Sequence, residues 1–232
     1  MIDLFTLHHG DCLDILRSLP SGSVDAVVTD PPYGINKASW DKTLADPVWF
    51  TECLRVLRPS GSAYIFGDTV TISGFQVYHE ASGVEWAGRC VWWYEDGPCS
   101  ATTWTHKHED CLVWHGPEHE QRTPFEESKS NDPRWGSRKR VSSVWRVPRL
   151  GGRKNERVGH PTQKPVHLIQ MLLDAASPWG GTILDPFMGS GTTGVACMRT
   201  GRKFIGCEID KGYYDIAKRR IEEAVPLAKE AV

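Results

Sequence analysis

Short apolar runs alternate with amphipathic segments along most of the chain. Six runs are rich in β-branched and aromatic residues, which is typical of short buried strands. They are Val24–Thr29, Ser62–Phe66, Cys90–Tyr94, Asp110–Trp114, Thr182–Leu184 and Lys203–Cys207. Strands that alternate with helices predict an α/β fold, in which a parallel or mostly parallel sheet has helices on both faces.

Apolar residues recur at helical spacing between several of these runs. They predict a helix at Trp49–Leu57, ended by the Arg-Pro-Ser-Gly sequence at 58–61, a helix at Val166–Ala176, and a helix that contains Tyr214, Ala217, Ile221 and Ala224. The alternation breaks between about Gly116 and Gly159, where Gly, Pro, Ser and charged residues dominate. We interpret that stretch as a functional insertion outside the sheet.

Length and composition exclude several classes of protein. A chain of 232 residues fits one domain with an insertion. No apolar run approaches the length of a membrane span, and the N-terminus lacks the basic and apolar parts of a signal peptide. Seven cysteines without a Cys-x-x-Cys pair argue against a disulfide framework and a zinc ribbon. We therefore expect a reduced, cytoplasmic protein.

Positive charge is concentrated in one segment, although the formal net charge is −2. Nine basic residues and one acid, Glu156, lie between Arg134 and Arg157, which gives +8 in 24 residues. A basic segment on an otherwise acidic protein is typical of a surface that binds a polyanion. A solvated loop would have the same composition, so charge alone leaves both interpretations open.

A glycine-rich turn follows the predicted strand at Thr182. The sequence Asp185-Pro-Phe-Met-Gly-Ser-Gly191 leads into a helix near Thr192, and a second strand ends at Glu208. Such glycines allow a sharp turn and the close approach of a ligand, and an acid after the second strand commonly binds ribose hydroxyls. No Lys-Ser/Thr follows Gly194, which excludes a P-loop. Asp185 suits a cationic, adenosine-containing ligand, although a plain tight connection would use the same glycines.

Two further motifs lie where an α/β sheet places its ligands. Asp30-Pro-Pro-Tyr33 follows an apolar strand, so a carboxylate, a rigid carbonyl and an aromatic ring could together bind an amine-bearing base. His160-Pro-Thr-Gln-Lys-Pro165 precedes a predicted helix, where Thr162 could cap the helix and Lys164 could meet a ligand carboxylate. A simple turn and a simple helix entry are the alternatives.

In this order the motifs resemble those of the amino-group DNA methyltransferases that use S-adenosylmethionine, in the circularly permuted β-class. Gly10-Asp-Cys-Leu13, Arg55–Gly61 and His108-Glu109 match the same class, and the resemblance leaves out only about 119–142. It implies a Rossmann-like methyltransferase fold with a mixed sheet of about seven strands and one antiparallel edge strand. It also implies one catalytic domain over 1–232, with a target-recognition insertion at about 117–158.

The resemblance implies roles for individual residues. Asp30 and the Pro31 carbonyl, followed by Pro32, would bind the target amine, while Tyr33 would stack on a base flipped out of the duplex. Asp11 would lie near the adenine of the methyl donor and Glu208 would bind its ribose. Eight further residues would complete the donor pocket. They are Thr162 and Lys164 near the methionine end, and Asp185, Phe187, Gly189, Ser190, Gly191 and Thr192 along the glycine turn. The reaction needs no metal.

The resemblance also places DNA recognition between His108-Glu109 and His160, an interval that contains the basic segment. The predicted contacts to double-stranded DNA are Arg134, Arg138, Lys139, Arg140, Arg146, Arg149, Arg153 and Lys154. Trp145 could stack on DNA or belong to the core. Members of this class occur in prokaryotes and phages, often as dimers and with a cognate restriction endonuclease, so both partners are possible here.

Several alternatives stay open at this point. Adenine N6 is favoured over cytosine N4, because Asp at the first position of the Asp30 motif is commoner among the adenine enzymes of the class. The glycine pattern also fits a nicotinamide oxidoreductase, and Cys99 could serve a cytosine-C5 methyltransferase. A DNA-binding protein without catalysis and a metal site at His106, His108, His115 and His119 are the remaining candidates.

Overall fold

The computed structural model describes residues 4–32, 48–67, 83–95, 105, 107–119, 142–150 and 156–225, together with the backbone of 125–127 and 138–140. The strands in these ranges are β1 Phe5–His9, β2 Val24–Thr29, β3 Leu57–Gly67, β4 Glu85–Trp93, β5 His108–His115, β6 Phe125–Glu127, β7 Arg138–Arg140, β8 Val144–Arg146, β9 Thr182–Asp185 and β10 Lys203–Glu208. The helices are α1 Cys12–Ser18, α2 Val48–Val56, α3 Val166–Ala176, α4 Thr192–Arg199 and α5 Lys211–Ala224.

The main sheet has eight strands in the order β1-β10-β9-β2-β3-β5-β4-β8. β5 runs antiparallel to both of its neighbours, β3 and β4, whereas the other five strand pairs of this sheet are parallel. β6 and β7 form a separate two-stranded antiparallel sheet. The predicted mixed α/β sheet is therefore confirmed.

Two details of the predicted sheet were wrong. The sheet has eight strands instead of about seven, and its antiparallel strand β5 lies inside the sheet instead of at an edge. The extra edge strand is β8, which pairs with β4 through Val91↔Val144 and Trp92↔Trp145. Part of the segment that was interpreted as an insertion outside the sheet therefore completes it. Trp145 is buried in the main apolar cluster, so it belongs to the core.

Helices cover both faces of the sheet, as the sequence predicted. From Ala26 onwards, successive residues of β2 point to opposite sides of the sheet: Ala26 and Val28 join one apolar cluster, and Val27 joins the other. Val24 also joins the second cluster, because the register shifts between Val24 and Ala26. The first cluster contains the apolar residues of α3, α4 and α5, and the second contains those of α1 and α2. Burial on both faces explains why β2 is apolar almost without interruption.

The helix ends follow local chemistry. Asp11 caps α1 by accepting from the Leu13 amide at 2.8 Å, and Asp210 caps α5 by accepting from the Tyr213 amide at 3.0 Å. The proposal that Thr162 caps α3 was wrong, because the N-cap position is Pro165. The Arg-Pro-Ser-Gly sequence at 58–61 does follow the end of α2, but it lies within β3.

The strand order brings the carboxyl ends of β2, β9 and β10 to one edge of the sheet. β2 pairs with β9 through Ala26↔Ile183 and Val27↔Leu184, and β9 pairs with β10. The Asp30 motif and the glycine turn, which are far apart in sequence, therefore emerge side by side. Among the described helices, none combines the length and the hydropathy needed to cross a membrane.

Candidate active site

A cavity of about 290 Å³ opens at this edge of the sheet. Its wall brings together most of the residues that the sequence analysis selected. The predicted residues that line it are Asp11, Asp30, Pro31, Pro32, Thr162, Lys164, Asp185, Phe187, Gly189, Ser190, Thr192 and Glu208. Gly191 is not among the lining residues but forms the N-cap of α4, and Tyr33 lies outside the described residues.

The glycine turn has the backbone conformation that only glycine adopts easily. Gly189 and Gly191 have φ angles of 51° and 77°, in the left-handed region. A Cβ atom on Gly191 would lie 2.8 Å from the Cβ of Ala217 on α5, so the turn lies directly against that helix. The two glycines thus fix the path of the turn from the cavity wall at Gly189 to the start of α4.

Asp185 is buried, and its carboxylate organises the glycine turn. The carboxylate accepts from the hydroxyls of Thr29 and Thr193, each at 2.7 Å, and from the Phe187 amide at 3.2 Å. Burial raises the pKa of Asp185 to about 6, and the hydrogen bonds oppose that rise. Asp185 therefore ties the end of β2 to the start of α4, in addition to lining the cavity. Thr29 and Thr193 were not among the predicted site residues, although Thr29 ends a predicted strand and Thr193 lies at the start of a predicted helix.

Glu208 lies at the end of β10, where the sequence placed a ribose-binding acid. Its carboxylate accepts from the Gly189 amide at 2.9 Å and from the Asp210 amide at 2.8 Å. Burial raises the pKa of Glu208. The backbone contacts hold the carboxylate at the cavity wall, next to Asp11 at the start of α1.

The charges around the cavity suit a cationic ligand that also carries hydroxyls. Four carboxylates line it, those of Asp11, Asp30, Asp185 and Glu208, whereas Lys164 is the single Lys or Arg among the described lining residues. His160 also lines the cavity; burial and the charge of Lys164 lower its pKa to about 4, which leaves the imidazole neutral at pH 7. A ligand that combines a sulfonium with a ribose matches this wall.

On the β2 side of the cavity, Lys164 joins two carboxylates. Its Nζ lies 2.5 Å from Oδ2 of Asp30 and 2.9 Å from Oε2 of Glu109. The side chain is 8% exposed, and Nζ lies 5.0 Å from the ring centre of Phe66 and 5.9 Å from that of Trp92. Burial by itself would lower the pKa of the ammonium group, but the two carboxylates hold that pKa above its usual value. Lys164 was expected near the methyl donor, and the pairing with Asp30 was not foreseen.

Arg220 on α5 supports the cavity from behind and was also missed. Its guanidinium donates to the Ser190 carbonyl at 2.5 Å and lies 3.5 Å from the Thr192 hydroxyl. Arg220 follows the buried Ala217 by three positions, so the helical period already placed it near the buried face of α5. The sequence signal for Arg220 was its place on the helix that follows the strand ending at Glu208.

The basic segment is described only in part. Arg134, Arg153 and Lys154 lie outside the described residues, and Arg138, Lys139 and Arg140 form β7, of which only the backbone is described. The Arg146 guanidinium lies 5.5 Å from the ring centre of Trp93, and that of Arg149 lies 5.0 Å from the ring centre of Tyr94. β8 is parallel to β4, and β4 has the same direction as β2 because β5 is antiparallel to both β4 and β3. The two arginines therefore lie beyond the carboxyl end of β8, at the same end of the strands as Asp30.

The remaining alternatives gain little from the structure. In the part of the chain that is described, no three His, Cys, Asp or Glu side chains converge as a metal site. His108 and His115 lie at opposite ends of β5, and the His115 ring stacks on His119 at 3.9 Å. His106 and Cys99 lie outside the described residues.

Comparison with known proteins gives one family. A family model for N6- and N4-methyltransferases, described as DNA methylase, matches residues 24–219. DNA adenine methyltransferase YhdJ of Escherichia coli (strain K12) is 33% identical over 245 aligned positions, 94% of this chain and 83% of that protein. Type II methyltransferase M.HpaI of Haemophilus parainfluenzae is 30% identical over 229 positions, 91% of this chain and 72% of that protein.

A solved structure that is described as a complex with SAM has a similar fold. The crystal structure of the M1.HpyAVI-SAM complex superposes with a TM-score of 0.72 and 26% identity, over 93% of this chain and 99% of that chain. The matched family, the motif order and the acidic cavity beside the glycine turn are mutually consistent. The chain therefore belongs to the N6/N4 DNA methylases, the family of S-adenosylmethionine-dependent enzymes that methylate the exocyclic amines of DNA bases.

Proposed function

We propose that this chain methylates the N6 atom of adenine at a specific site in double-stranded DNA, on a base rotated out of the duplex. The observation that carries the proposal is the position of Asp30. Its carboxylate lies at the end of β2, on the wall of the cavity that the glycine turn of β9 also lines. A hydrogen-bond acceptor for the amine and a pocket for the methyl donor thus share one cavity.

The donor side would be built by the residues around the glycine turn. Glu208 would accept from ribose hydroxyls and Asp11 would lie near the adenine, while Phe187 and the turn at Gly189 would enclose the rest. Phe187 packs edge-on against Trp49 at 5.1 Å, which holds its ring in place. S-adenosylmethionine supplies a methyl group that its sulfonium already activates, so neither a metal nor a covalent enzyme intermediate is needed.

The protein's own task is then alignment. Asp30 and the Pro31 carbonyl would accept the two hydrogens of the amine and so direct the nitrogen lone pair at the methyl carbon. As the nitrogen–carbon bond forms, the carbon–sulfur bond breaks and its electron pair stays on sulfur. The nitrogen takes over the positive charge and then releases one proton to water. Tyr33, three residues beyond Asp30, would stack on the extruded base.

Two observations support adenine over cytosine as the target base. A relative that is 33% identical over 94% of this chain is named a DNA adenine methyltransferase. The motif at residue 30 begins with Asp, which the resemblance associates with adenine enzymes more than with cytosine-N4 enzymes. Cytosine N4 would use the same donor pocket and the same acceptor at Asp30, so it is the competing outcome of the test below.

The basic segment at about 117–158 would recognise the DNA site, within a single catalytic domain over 1–232. Lys and Arg contacts to phosphates supply affinity, and arginines in the major groove can read guanine edges. Arg146 and Arg149, stacked on aromatic rings at the catalytic edge of the sheet, support this assignment.

Incubation with duplex DNA and methyl-labelled S-adenosylmethionine, followed by digestion to nucleosides, tests the proposal. We expect label in N6-methyladenine for the wild-type protein. We expect no label for Asp30→Ala, because that variant lacks the acceptor for the amine, while donor binding by calorimetry stays close to wild type. Label in N4-methylcytosine would overturn the base, and wild-type turnover by Asp30→Ala would overturn the role of Asp30.

A further inference from the structure

Lys164 is an unusual side chain because it is a buried cation at the centre of the site. It is 8% exposed, it touches both Asp30 and Glu109, and it lies over the rings of Phe66 and Trp92. A lysine is rarely buried to this extent unless its charge is paired. The three charged residues come from three places in the chain: the end of β2, the start of β5 and the approach to α3.

The contacts assign distinct tasks to the three residues. Lys164 contacts Oδ2 of Asp30 at 2.5 Å, and a carboxylate held by an ammonium group loses rotational freedom. Glu109 contacts the same ammonium group at 2.9 Å, so the pair of carboxylates leaves one net negative charge in the cluster. The rings of Phe66 and Trp92 add a cation–π attraction that further favours this position of the ammonium group.

We propose that Lys164 is a positioning residue that fixes the carboxylate of Asp30 for the target amine, and that Glu109 holds Lys164 in place and balances its charge. The inference rests on the proposed function, because it concerns the residue that accepts the amine. A carboxylate paired with a lysine is a poor proton acceptor but still a good hydrogen-bond acceptor. Asp30 thus orients the amine and does not act as a base that deprotonates it before methyl transfer.

The alternative is that Lys164 binds the methyl donor, as the resemblance implied. The two roles separate in kinetics. A residue that positions Asp30 affects kcat and leaves the dissociation constant of the donor unchanged, whereas a residue that binds the donor raises that constant.

The first experiment replaces Lys164 by methionine, which keeps the length of the side chain and removes its charge. We expect kcat to fall about 100-fold, because misplacement of a reacting group by about 1 Å has an effect of that size. We expect the dissociation constant of S-adenosylmethionine, measured by calorimetry, to change by less than about threefold. The matched control is Lys211→Met, which removes an exposed charge on α5 and should leave both values unchanged.

The second experiment adds Glu109→Gln to the first variant. In Lys164→Met the carboxylates of Asp30 and Glu109 face each other without a cation, which favours the protonated form of Asp30. The acidic limb of the pH profile of kcat should therefore move up by about one unit or more. Removal of the Glu109 charge should bring the acidic limb back towards wild type and raise kcat above that of Lys164→Met. If the two residues had a merely structural role, the losses of kcat from the two substitutions would add instead.

Three other ionisable groups interact with this cluster. Asp185 on β9, Cys111 on β5 and His160 before α3 all interact electrostatically with Asp30 or Lys164, and none of them changes between the variants. Asp110→Asn is the matched control for Glu109→Gln, since Asp110 is the next residue on β5 and pairs with Arg89 instead. It should leave the acidic limb where it is.

Each outcome decides the proposal. An increased dissociation constant for the donor with unchanged kcat in Lys164→Met would make Lys164 a donor-binding residue. If Lys164→Met does not fold, the double variant, which buries a neutral pair, serves alone. Its kcat should stay below wild type, because Asp30 still lacks the ammonium group that fixes it, and a wild-type kcat would overturn the proposal. A wild-type protein that labels no DNA contradicts the proposed function, whereas labelling by wild type with kcat retained in the variants contradicts only the inference.

Discussion

Gly191 shows how a single residue type determines the shape of the donor side of the cavity. Its φ angle of 77° belongs to the left-handed region, and a Cβ atom there would lie 2.8 Å from Ala217 Cβ and 2.9 Å from Ala217 Cα. We expect Gly191→Ala to destabilise the protein by about 3 kcal/mol, from left-handed strain and from overlap with α5. Urea unfolding measures the loss, and calorimetry should show weaker binding of S-adenosylmethionine.

Gly180 provides the matched control. It has a similar φ angle of 75°, but a Cβ atom there would have no atom within 4 Å. Gly180→Ala should lower the free energy of unfolding by only about 1 kcal/mol, the cost of the left-handed backbone conformation, and should bind the donor normally. Equal losses in the two variants would mean that the contact with α5 is unimportant.

At the residue scale, the sequence predicts which residues surround the cavity better than it predicts their partners. Asp30, Asp185 and Glu208 were found because each follows a strand whose apolar run is visible in the sequence. The pairing of Lys164 with Asp30 was not found, because the two residues are 134 positions apart and only the sheet brings them together. Local patterns identify chemically suitable residues, but contacts across the sheet depend on strand order.

Arg202 shows how a single side chain can secure the end of an element. It is 6% exposed and lies next to the carboxyl end of α3, where its guanidinium donates to the carbonyls of Leu173 at 3.0 Å and Ser177 at 3.1 Å. Its ion pair with Asp174 adds little, because Asp174 is largely exposed. Replacement by methionine removes the guanidinium donor from both carbonyls and from the Ser177 hydroxyl, which accepts from Nε at 2.9 Å. The Leu173 carbonyl would keep the Ser177 amide as a donor.

We therefore expect Arg202→Met to lower the free energy of unfolding by about 3 kcal/mol, as measured in urea. The exposed ion pair of Lys211 with Asp215 on α5 gives the comparison. Lys211→Met should lower the free energy of unfolding by less than about 0.5 kcal/mol. A loss of similar size in the two variants would contradict a special role for Arg202 at the end of α3.

At the element scale, strands with consecutive apolar residues were predicted correctly, and two strands without such a run were missed. β2, β9 and β10 all coincide with runs that the sequence identifies. β1 was missed because Phe5-Thr-Leu-His-His alternates between apolar and polar residues over only five positions. β8 was missed because it has three residues and lies in a basic segment, so only its pairing with β4 makes it a strand.

The distribution of charge over the whole molecule leads to a prediction about DNA binding. Each phosphate contact contributes about 0.9 to the slope of log K against log salt. Replacing Arg138, Lys139 and Arg140 by glutamine should therefore reduce that slope by about 2 to 3, as measured by fluorescence anisotropy at several salt concentrations.

A control variant on α5 removes the same total charge. Its three exposed basic residues, Lys211, Lys218 and Arg219, would also be replaced by glutamine. This variant should keep the wild-type slope, because binding depends on where the positive charge lies. If both variants lower the slope equally, net charge alone governs binding and the basic segment has no special role.

The pairing of β2 with β9 has a consequence for how the enzyme becomes active as it folds. Thr29 and Asp185 are 156 positions apart, so the hydrogen bond between them closes a loop of more than half the chain. Contacts over such long sequence separations form slowly. The recovery of methyl transfer after dilution from denaturant therefore reports the meeting of the Asp30 motif with the glycine turn, and it should lag behind the return of helical structure.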